Sequence, residues 1–410
     1  MNKLPDGWEY KKLKDIGKVY TGMTPSTLDK KNFGNEHLFI TPADINNDYK
    51  YIFNSIRKLS DKGFEKSRQF KKGDILYVSI GSTIGKIALA GCDFTCNQQI
   101  NVLRVNEGID NEFVYYQLIN SFPYISKFVS RGVVPIMNKT TFENISIAIP
   151  LLLDEQKQIA SALSKIDAYL ENTIKLIEEK ERFKKGIAKK LLTCKKGENV
   201  PEARFKEFND EWKEYNLSKI GISYSGLRNK KAKSFSENCN AKYITYKSIY
   251  DKSKIDINRL ENVFVDKNEN QNLVKYGDAF FTISSETPDE VAISSVLLDG
   301  VENTYLNSFC FGFRFDFNIL LPEFARYYFR SDHIRKSTYK LAQGITRYNI
   351  SKSKFLDIVI YLPSLKEQKE ISEYLSLLDA EIDNLKKQEE LIKEMKKGMI
   401  NKLMSGEVRL

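Results

Sequence analysis

Histidine is scarce in this sequence, and its scarcity argues against several kinds of catalytic site. The 410-residue chain has two histidines, His37 and His333. A Ser-His-Asp triad needs histidine as its base, and two isolated histidines at unrelated positions do not supply one. The sequence also lacks adjacent prolines and any Pro-Cys pair, so the Pro-Pro-aromatic and Pro-Cys signatures of DNA methyltransferases are missing. We therefore expect no catalytic residues in this chain.

Cysteine is sparse as well, and its positions are scattered. The cysteines are Cys92, Cys96, Cys194, Cys239 and Cys310. Cys92 and Cys96 are spaced like half of a metal clamp, but no second Cys or His pair completes the four ligands of a zinc site. We predict reduced, half-buried thiols, no metal site and no cofactor.

Long apolar runs are also missing. No stretch approaches the 18 or more apolar residues of a membrane span, and the N-terminal MNKLPDGWEYKKL has no signal-peptide core. We expect a cytoplasmic protein without a membrane segment. Hydrophobic residues at 41% and aromatic residues at 12% are sufficient for packed cores, and the length predicts two to four domains.

The charge balance favours an anionic partner. The chain has 64 Lys and Arg against 54 Asp and Glu, a net charge of +10 and a pI of about 9.0. A charge of this sign is typical of proteins that bind nucleic acid or an anionic membrane surface. Charge alone does not choose between these two partners.

The most informative feature that is present is an internal duplication. Landmarks of the first copy return 204 residues later (212 − 8 for the only two tryptophans). They are Trp8, Leu13, Ile16, Gly17, Tyr20, Gly22 and Gly73-Asp74, which recur as Trp212, Leu217, Ile220, Gly221, Tyr224, Gly226 and Gly277-Asp278.

The second half of each copy repeats with a shift of 212 or 213 (344 − 132, 363 − 150). Gly132 matches Gly344, Pro150 matches Pro363, EQKQI at Glu155 matches EQKEI at Glu367, DA at Asp167 matches DA at Asp379, and KKG at Lys184 matches KKG at Lys396. So many landmarks in one order indicate a duplicated module. A duplicated module suggests a pseudo-two-fold molecule and a target that is read in two parts.

Each copy ends in a pattern typical of a long amphipathic helix, in which apolar residues recur at steps of three and four without an intervening proline. The positions are Ile159, Leu163, Ile166, Leu170, Ile174 and Ile177, and then Ile371, Leu375, Leu378, Ile382, Leu385, Ile392, Met395, Met399 and Leu403. A helix from Glu155 to Thr193 would be about 58 Å long at 1.5 Å per residue. Such a helix needs a partner along its apolar face, and its own copy is the obvious one.

The direction of the two helices follows from the module between them. The first helix leads into the second module, and the second helix leaves it. Because the ends of a compact domain lie close together, we expect the helices to run antiparallel as a coiled coil. The sequence predicts an α+β fold with two α/β modules at 1–150 and 199–363, separated by long helices at 151–198 and 364–410.

The loops where the copies differ are the candidate binding elements. GSTIGK, from Gly81 to Lys86, has three residues between its glycines instead of the four of a P-loop, so we interpret it as a variable hairpin tip. Its counterpart reads SSETPDEV. After Gly132 the chain reads GVVPIMNKTTF, and after Gly344 it reads GITRYNISKSK. In the segments NQQIN and YLNSF, asparagine and glutamine side chains replace the residues that are usual in a strand.

Arg, Asn and Gln can pair with base edges, while Lys and Thr hold phosphates. We predict DNA contacts from these loops and from the basic segment RNKKAK. The predicted residues are Ser82, Thr83, Lys86, Gln98, Gln99, Asn138, Lys139 and Thr140 in the first copy, and Arg228, Lys230, Lys231, Ser285, Asn307, Arg347, Tyr348, Asn349 and Lys352 in the second. A third basic run lies between Lys180 and Lys196. A solvated surface is the plain alternative for any single lysine.

The whole chain resembles the specificity subunit of Type I restriction-modification systems. The resemblance rests first on the order of the elements, in which a module and a helix are followed by a second module and a second helix. It also rests on two pairs of repeated strings. These are IPLLLDEQKQIASALSKIDA with LPSLKEQKEISEYLSLLDA, and FKKGIAKKLLT with MKKGMINKLMSGEVRL. The entry to the second copy, RFKEFNDEWKEYNLSKIG, also fits. One departure is that the first copy lacks the PEARFKEF lead-in, which puts the contacts at that end in doubt.

The resemblance implies a non-catalytic subunit with two target recognition domains, each docking in the major groove on one half of a split site in double-stranded DNA. It also implies helices that set the gap between the half-sites, two modification subunits that bind S-adenosylmethionine and methylate adenine, and restriction subunits that translocate and cut. Two alternatives stay open: a self-contained methyltransferase or nuclease, and a basic coiled-coil scaffold without sequence preference.

Overall fold

The structure, a computed structural model, describes residues 4–130, 132–236 and 238–410. The chain divides into two compact units. Unit 1 consists of Met1–Ile177 and Asn384–Leu410, and unit 2 of Glu178–Asp383. Each of the two long helices therefore contributes residues to both units. The domain limits expected from the sequence stay predictions.

Unit 1 is a mixed α/β module. Its strands are β1 Trp8–Lys12, β2 Gly17–Thr21, β3 Phe33–Gly34, β4 His37–Ile40, β5 Tyr51–Ile52, β6 Arg57–Leu59, β7 Gln69–Phe70, β8 Ile75–Val78, β9 Ile87–Ala90, β10 Phe94–Cys96, β11 Ile100–Val105 and β12 Ser146–Pro150. Its helices are α1 Leu13–Ile16, α2 Asp61–Glu65, α3 Asn111–Asn120, α4 Phe122–Ile125, α5 Lys139–Glu143 and the first part of α6 Leu153–Leu192, with 3-10 turns at Lys30–Asn32 and Ser126–Phe128. The strands form sheets in the orders β2-β11-β8-β9-β5, β3-β6-β4-β10-β7 and β1-β12.

Unit 2 repeats this plan. Its strands are β13 Lys213–Asn216, β14 Gly221–Ser225, β15 Ala241–Ile244, β16 Glu261–Val263, β17 Ala279–Thr282, β18 Ser284–Ser285, β19 Ser294–Val296, β20 Thr304–Leu306, β21 Cys310–Phe315, β22 Tyr348–Asn349 and β23 Val359–Leu362. Its helices are α7 Leu217–Ile220, α8 Tyr246–Asp251, α9 Pro322–Tyr328, α10 Asp332–Leu341, α11 Lys352–Leu356 and the first part of α12 Leu365–Met404, with 3-10 turns at Ala232–Phe235, Ile257–Arg259 and Pro288–Glu290.

Strand order confirms the duplication. The antiparallel order β2-β11-β8-β9 of unit 1 returns as β14-β21-β17-β19 in unit 2. The order β6-β4-β10, with one antiparallel and one parallel pairing, returns as β16-β15-β20. The hairpin predicted around GSTIGK is confirmed, since this segment joins the antiparallel strands β8 and β9.

The Gly-Asp landmark of each copy holds an ion pair that the sequence did not reveal. The Arg104 guanidinium donates to both carboxylate oxygens of Asp74, and Arg314 does the same to Asp278. The arginines occupy equivalent positions on β11 and β21, and each hydrogen-bonded carboxylate raises the pKa of its arginine above the usual value. These bidentate pairs fix the long central strands of each main sheet.

The long helices run antiparallel, as predicted. In unit 1, Lys396 of α12 pairs with Asp167 of α6 at 2.6 Å. In unit 2, Lys184 of α6 pairs with Asp379 of α12. In each pair the lysine belongs to the KKG string of one copy and the aspartate to the DA string of the other. The two repeated strings therefore supply the cation and the anion of the same kind of ion pair. Within unit 2 Lys180 also pairs with Glu381, so residue numbers rise along α6 as they fall along α12, and the helices have opposite directions.

The apolar seam of the helices differs from its prediction near the end of α12. Ile371, Leu375 and Leu403 are buried as expected. Met395 is instead 47% exposed, whereas Ile400 is 5% exposed. Ile392 and Leu403, the predicted ends of this part of the seam, are both buried, so only the positions between them differ.

The EQK string at the start of each long helix is a clamp. Gln156 donates to the carbonyl of Pro150 at 2.9 Å and accepts the N–H of Asp110 at 2.9 Å. Gln368 likewise donates to Pro363 at 3.0 Å and accepts from Leu321 at 2.9 Å. One buried amide thus ties the helix start to the preceding strand and to the loop before a neighbouring helix.

The glutamate before this amide meets an arginine in both units. Arg204, from the PEARFKEF lead-in, donates two hydrogen bonds to Glu367 at 2.8 and 2.7 Å. In unit 1 the corresponding Glu155 accepts from the indole of Trp8 at 3.0 Å and lies 3.9 Å from Arg409. The segment after α12 therefore supplies in unit 1 the arginine that the lead-in supplies in unit 2.

Two further findings concern the described residues. Cys92 and Cys96 are free thiols, and burial raises the pKa of Cys96 well above its usual value. Among the helices of residues 4–130, 132–236 and 238–410, none has the length and apolar character needed to cross a membrane.

Candidate nucleic-acid interface

In unit 1 three of the variable loops meet at Ser79, the residue after β8. The Ser79 N–H donates to the carbonyl of Gln99, and its own carbonyl accepts the N–H of Met137, both at 2.8 Å. The N–H of Gly81 donates to the carbonyl of Pro135 at 3.0 Å. Backbone hydrogen bonds therefore hold together the hairpin turn at Gly81, the turn that ends at Gln99 and the loop that ends at Met137.

Unit 2 has the same arrangement around Ile283, which the 204-residue shift places opposite Ser79 (283 − 79). The Ile283 N–H donates to the carbonyl of Phe309, and its carbonyl accepts the N–H of Ile350, both at 3.0 Å. Strands β18 and β22 then continue the pairing. We call each of these clusters the loop junction of its unit. In unit 1 the loop junction comprises the first turn (81–86), the amide turn (97–99) and the hairpin tip between residues 130 and 136. In unit 2 it comprises the first turn (284–290), the amide turn (307–309) and the hairpin tip between residues 343 and 349.

Backbone pairs close both hairpin tips. In unit 1 the Ser130 N–H donates to Ile136 at 3.0 Å, and in unit 2 Gln343 and Asn349 exchange hydrogen bonds of 2.9 and 2.8 Å. Each tip has five residues. Gly344 has a φ of +145°, and a Cβ there would lie 2.0 Å from a backbone oxygen, so this tip requires glycine.

A fourth segment adjoins each junction through a glycine. A Cβ on Gly22 would lie 2.1 Å from the carbonyl oxygen of Asn97, and one on Gly226 would lie 2.0 Å from that of Asn307. The backbone of the segment after β2 or β14 therefore lies directly against the backbone of the amide turn. This close approach explains why both copies have glycine at this position.

The short helix after each tip is held by aromatic packing. Phe142 of α5 lies 4.7 Å from Tyr77, and Phe355 of α11 lies 4.5 Å from Phe281, measured between ring centroids. Tyr77 and Phe281 are equivalent residues of β8 and β17. The main sheet thus positions the helix whose first residues carry the predicted lysines.

The sequence model of the family described as Type I restriction modification DNA specificity domain matches the chain twice, over residues 5–179 and 209–394. Each match contains one loop junction and the start of the long helix after it. The chain belongs to this family. Membership in the DNA specificity family confirms the resemblance noted from the repeated strings, and the two matches confirm that the module is duplicated.

Curated members of the DNA specificity family align along the whole chain. The MjaVIII specificity subunit of a Type I restriction enzyme from Methanocaldococcus jannaschii is 25% identical, over 100% of this chain and 94% of the relative. The MjaIX specificity subunit from the same organism is 26% identical, over 100% and 95%. These relatives are specificity subunits, which agrees with a non-catalytic role for this chain.

Solved structures share the fold. The S subunit of a Type I restriction-modification system from M. genitalium has a TM-score of 0.55 and 17% identity, over 98% of this chain and 97% of that one. A chain from a study of complex assembly and conformational transition of the type I R-M system has a TM-score of 0.63 and 15% identity, over 100% of both. These similarities confirm the α+β architecture.

The predicted residues of unit 1 lie on its loop junction or directly after it. Ser82, Thr83 and Lys86 are in the first turn, and Gln98 and Gln99 are in the amide turn. Asn138 is the N-cap of α5, and Lys139 and Thr140 are its first residues. The amide oxygens of Gln98, Gln99 and Asn138 are occupied, because they accept hydrogen bonds from Thr24, Asn97 and Thr141. None of these three NH2 groups donates to another residue that the structure describes.

The sequence suggested that the amides of these segments replace the usual residues of a strand, but most of them lie at turns. Asn97 and Asn307 begin turns, in which each side-chain oxygen accepts the N–H two residues later, at 3.2 and 2.8 Å. Asparagine favours such turns because its side chain mimics a backbone carbonyl. Similarly, α5 and α11 lie in segments that the sequence suggested were loops.

In unit 2 the tip and its flanks bring several predicted residues together. Arg347, Tyr348 and Asn349 belong to the tip and its closing strand, and Lys352 begins α11 and donates to Ser225 at 2.6 Å. Asn307 lies in the amide turn. Arg228 lies in the segment that adjoins it. The Arg347 side chain is exposed and makes no hydrogen bond or ion pair to another described residue.

Other predicted residues of unit 2 are less suited to bind a ligand. Lys230 has a side chain only 5% exposed, which pairs with Glu269 at 2.6 Å. Ser285 is 8% exposed and donates to Glu290 at 2.9 Å. Lys231 is exposed but lies next to the 3-10 turn Ala232–Phe235, outside the junction. The DNA contacts of these residues stay predictions, and we leave Lys230 and Ser285 out of the interface proposed below.

Two arginines that no sequence pattern pointed to hold the segment that directly follows the first turn of unit 2. Arg335 donates to the carbonyls of Val291 and Ala292, both at 2.7 Å, and Arg330 donates to that of Ser294 at 2.6 Å. Burial lowers the pKa of Arg330 to about 10. Ala292 has a φ of +55°, which costs energy for a residue with a side chain. Carbonyl acceptors leave no signature in a sequence, so tertiary contacts alone reveal this clamp.

The remaining sequence features have structural roles. GSTIGK joins two antiparallel strands, β8 and β9, whereas a P-loop leads into a helix. Part of the basic run from Lys180 to Lys196 forms ion pairs within unit 2, including that of Lys180 with Glu381 at 2.6 Å.

Proposed function

We propose that this chain is the specificity subunit of a Type I restriction-modification complex and that each unit reads one half of a bipartite site in double-stranded DNA. The repeated loop junction carries the proposal. Both units hold their variable loops with the same backbone hydrogen bonds, at Ser79 and at Ile283, but present different side chains on them. A common frame with different contact residues suits two readers of two different sequences.

The chemistry of the two junctions differs in a way that predicts different targets. Unit 1 presents amide NH2 groups from Gln98, Gln99 and Asn138, which can donate to acceptors on base edges in the major groove. Unit 2 presents the exposed Arg347, whose guanidinium can pair bidentately with guanine. In this proposal Lys86, Lys139 and Lys352 hold phosphates, and a net charge of +10 favours binding to the DNA backbone.

The catalytic steps belong to other subunits in this proposal. Two modification subunits bind S-adenosylmethionine and methylate an adenine in each half-site, and restriction subunits translocate and cut. The long helices set the spacing and dock the modification subunits. Each helix has 40 residues, or about 60 Å, which exceeds one DNA turn of about 34 Å. The complex would act in the cytoplasm, on cellular DNA.

Mapping methylated adenines across the genome, with and without this gene, tests the proposal. We expect one motif to disappear on deletion, composed of two different half-sites separated by a fixed number of unspecified bases. Methylation by the purified chain alone, with S-adenosylmethionine, would instead indicate a self-contained methyltransferase. Binding that has a steep salt dependence but no sequence preference would indicate a basic scaffold.

A further inference from the structure

The tip of each loop junction carries an almost fully exposed aliphatic side chain. Val133 is 104% exposed and Ile345 is 93% exposed. Each directly follows the glycine of its tip, Gly132 or Gly344. Both tips are closed by backbone pairing at their ends, so the two side chains project from anchored loops.

A single exposed aliphatic residue is ordinary and needs no explanation. Here the same kind of residue stands after the same glycine in both copies, although the rest of the tips differs. Unit 1 continues with Val134 and Pro135, and unit 2 with Thr346 and Arg347. Because the tips otherwise diverge, an aliphatic residue shared by both readers suggests a feature shared by both targets.

We propose that Val133 and Ile345 each contact the C5-methyl group of a thymine in the major groove of one half-site. This inference rests on the proposed function, in which an adenine is methylated in each half-site. Both half-sites then contain an A·T pair. The thymine methyl is the apolar group that this pair displays in the major groove, and an aliphatic side chain is the group that gains from covering it.

The neighbouring side chains suit this placement. Val134 and Ile136 are 48% and 41% exposed beside Val133, so the unit 1 tip offers an apolar surface. In unit 2 Arg347 follows Ile345 by two residues and can reach a base next to the thymine. The polar groups of each junction would then read bases adjacent to the shared A·T pair.

Replacing thymine by deoxyuridine in the DNA tests this contact, because the two bases differ only by the methyl group. Duplexes carrying the mapped motif would be prepared with deoxyuridine opposite the methylated adenine of one half-site at a time. Burial of a methyl contributes about 0.8 kcal/mol. We therefore expect the complex of this chain with its modification subunits to bind each substituted duplex about fourfold more weakly.

The variants Val133→Ala and Ile345→Ala assign each methyl to its side chain. Each variant should bind the thymine duplex several-fold more weakly, lose its sensitivity to deoxyuridine in one half-site and keep it in the other. The two variants should affect opposite half-sites. Since both positions are exposed, neither change should alter folding. Ile56→Ala, at an 82% exposed position in another turn of unit 1, is the matched control and should keep both sensitivities.

Equal binding of the thymine and deoxyuridine duplexes by the complex that contains the chain without substitutions would overturn the inference. So would an alanine variant that weakens binding to both duplexes equally, which would indicate insertion between base pairs instead of a methyl contact. If deletion of the gene removes no bipartite motif, the proposed function itself is wrong. If the bipartite motif is found but binding does not depend on the thymine methyl group, only this inference is wrong and the proposed function stands.

Discussion

At the scale of single residues, the two copies share contacts of the backbone and differ in the side chains around them. Ser79 and Ile283 make the same two backbone hydrogen bonds, although one is polar and the other aliphatic. The partner loops end in Gln99 and Phe309, which also differ in chemistry. A backbone frame tolerates such changes, because its hydrogen bonds use groups that every residue except proline has.

Arg347 is the single residue with the strongest predicted effect on sequence preference. We expect Arg347→Ala to weaken binding by about 1–3 kcal/mol and to relax preference at one position of one half-site, because a bidentate contact to a base is lost. The measurement is competition binding against a panel of duplexes with single changes in each half-site. Arg259→Ala removes an arginine of the same unit that pairs with Asp251 and should leave the preference unchanged. A uniform loss over all sequences would mean that Arg347 contacts phosphate.

Glu112 predicts how the stability of unit 1 depends on pH. Burial alone would raise the pKa of its carboxyl, but hydrogen bonds from Ser164, Tyr51 and Lys50 outweigh burial and hold it below its usual value. A carboxyl with a depressed pKa in the folded state contributes stability that is fully present above its unfolded pKa of about 4.3 and is lost as the pH falls through the folded value. Unit 1 should therefore lose more stability between about pH 5 and pH 3 than the Glu112→Gln variant does.

Tryptophan fluorescence measures this, because Trp8 lies in unit 1 and Trp212 in unit 2. In a Trp212→Phe background, urea unfolding reports unit 1 alone. The stability lost on acidification would be compared between this background and the same chain carrying Glu112→Gln. Equal losses in both would show that other carboxyls govern the acid response.

At the scale of elements, the helix pairing explains why short strings return in both copies. DA and KKG lie 17 residues apart on each helix (184 − 167 and 396 − 379). In each unit the aspartate of one helix meets the lysine of the other, and a tyrosine of the neighbouring helix also donates to that aspartate. The strings are therefore contacts between the copies' helices and not features of one helix.

Removal of one partner from the pair in unit 1 should destabilise that unit. The side chains of Asp167 and Lys396 are 3% and 12% exposed, so Lys396→Met leaves a buried carboxylate without its cation. We expect a loss of about 3–5 kcal/mol, read from Trp8 fluorescence in urea. Lys62→Met removes a surface pair with Asp29 and should cost at most about 1 kcal/mol. A similar small effect for both variants would contradict a structural role for the buried pair.

Some elements were invisible to sequence patterns for a clear reason. Helices α5 and α11 have five residues each, too few for a helical period to be seen. Their stability comes from Phe142 and Phe355, which pack on the main sheet. The long helices could be predicted because apolar residues recur regularly over many turns.

At the scale of the whole molecule, the proposed function makes the two long helices a ruler. Inserting four residues into both, after Ile177 and after Asn384, would lengthen each by about 6 Å. We expect the spacer of the methylated motif to grow by about two base pairs, at about 3.4 Å per pair, with both half-sites unchanged. Methylation mapping of the variant strain measures the spacer.

A four-residue insertion beside Gly300 is the control for this experiment. A Cβ at Gly300 meets no atom within 4 Å, so an insertion there should be tolerated and should leave the spacer as it was. An unchanged spacer after lengthening both helices would rule out the ruler, whereas altered half-sites would mean that the helices also position the reading loops.

Periodicity and repeated strings were enough to predict the duplication, the α+β class, the long antiparallel helices and the family. Differences between the copies also indicated the segments that form the loop junctions. Which side chains within those segments can reach a ligand depends on the folded chain, which buries Lys230 and Ser285, leaves Arg347 exposed and places Val133 and Ile345 at the tips. Exposure and hydrogen-bond partners arise from contacts between residues far apart in the chain, and no local pattern records them.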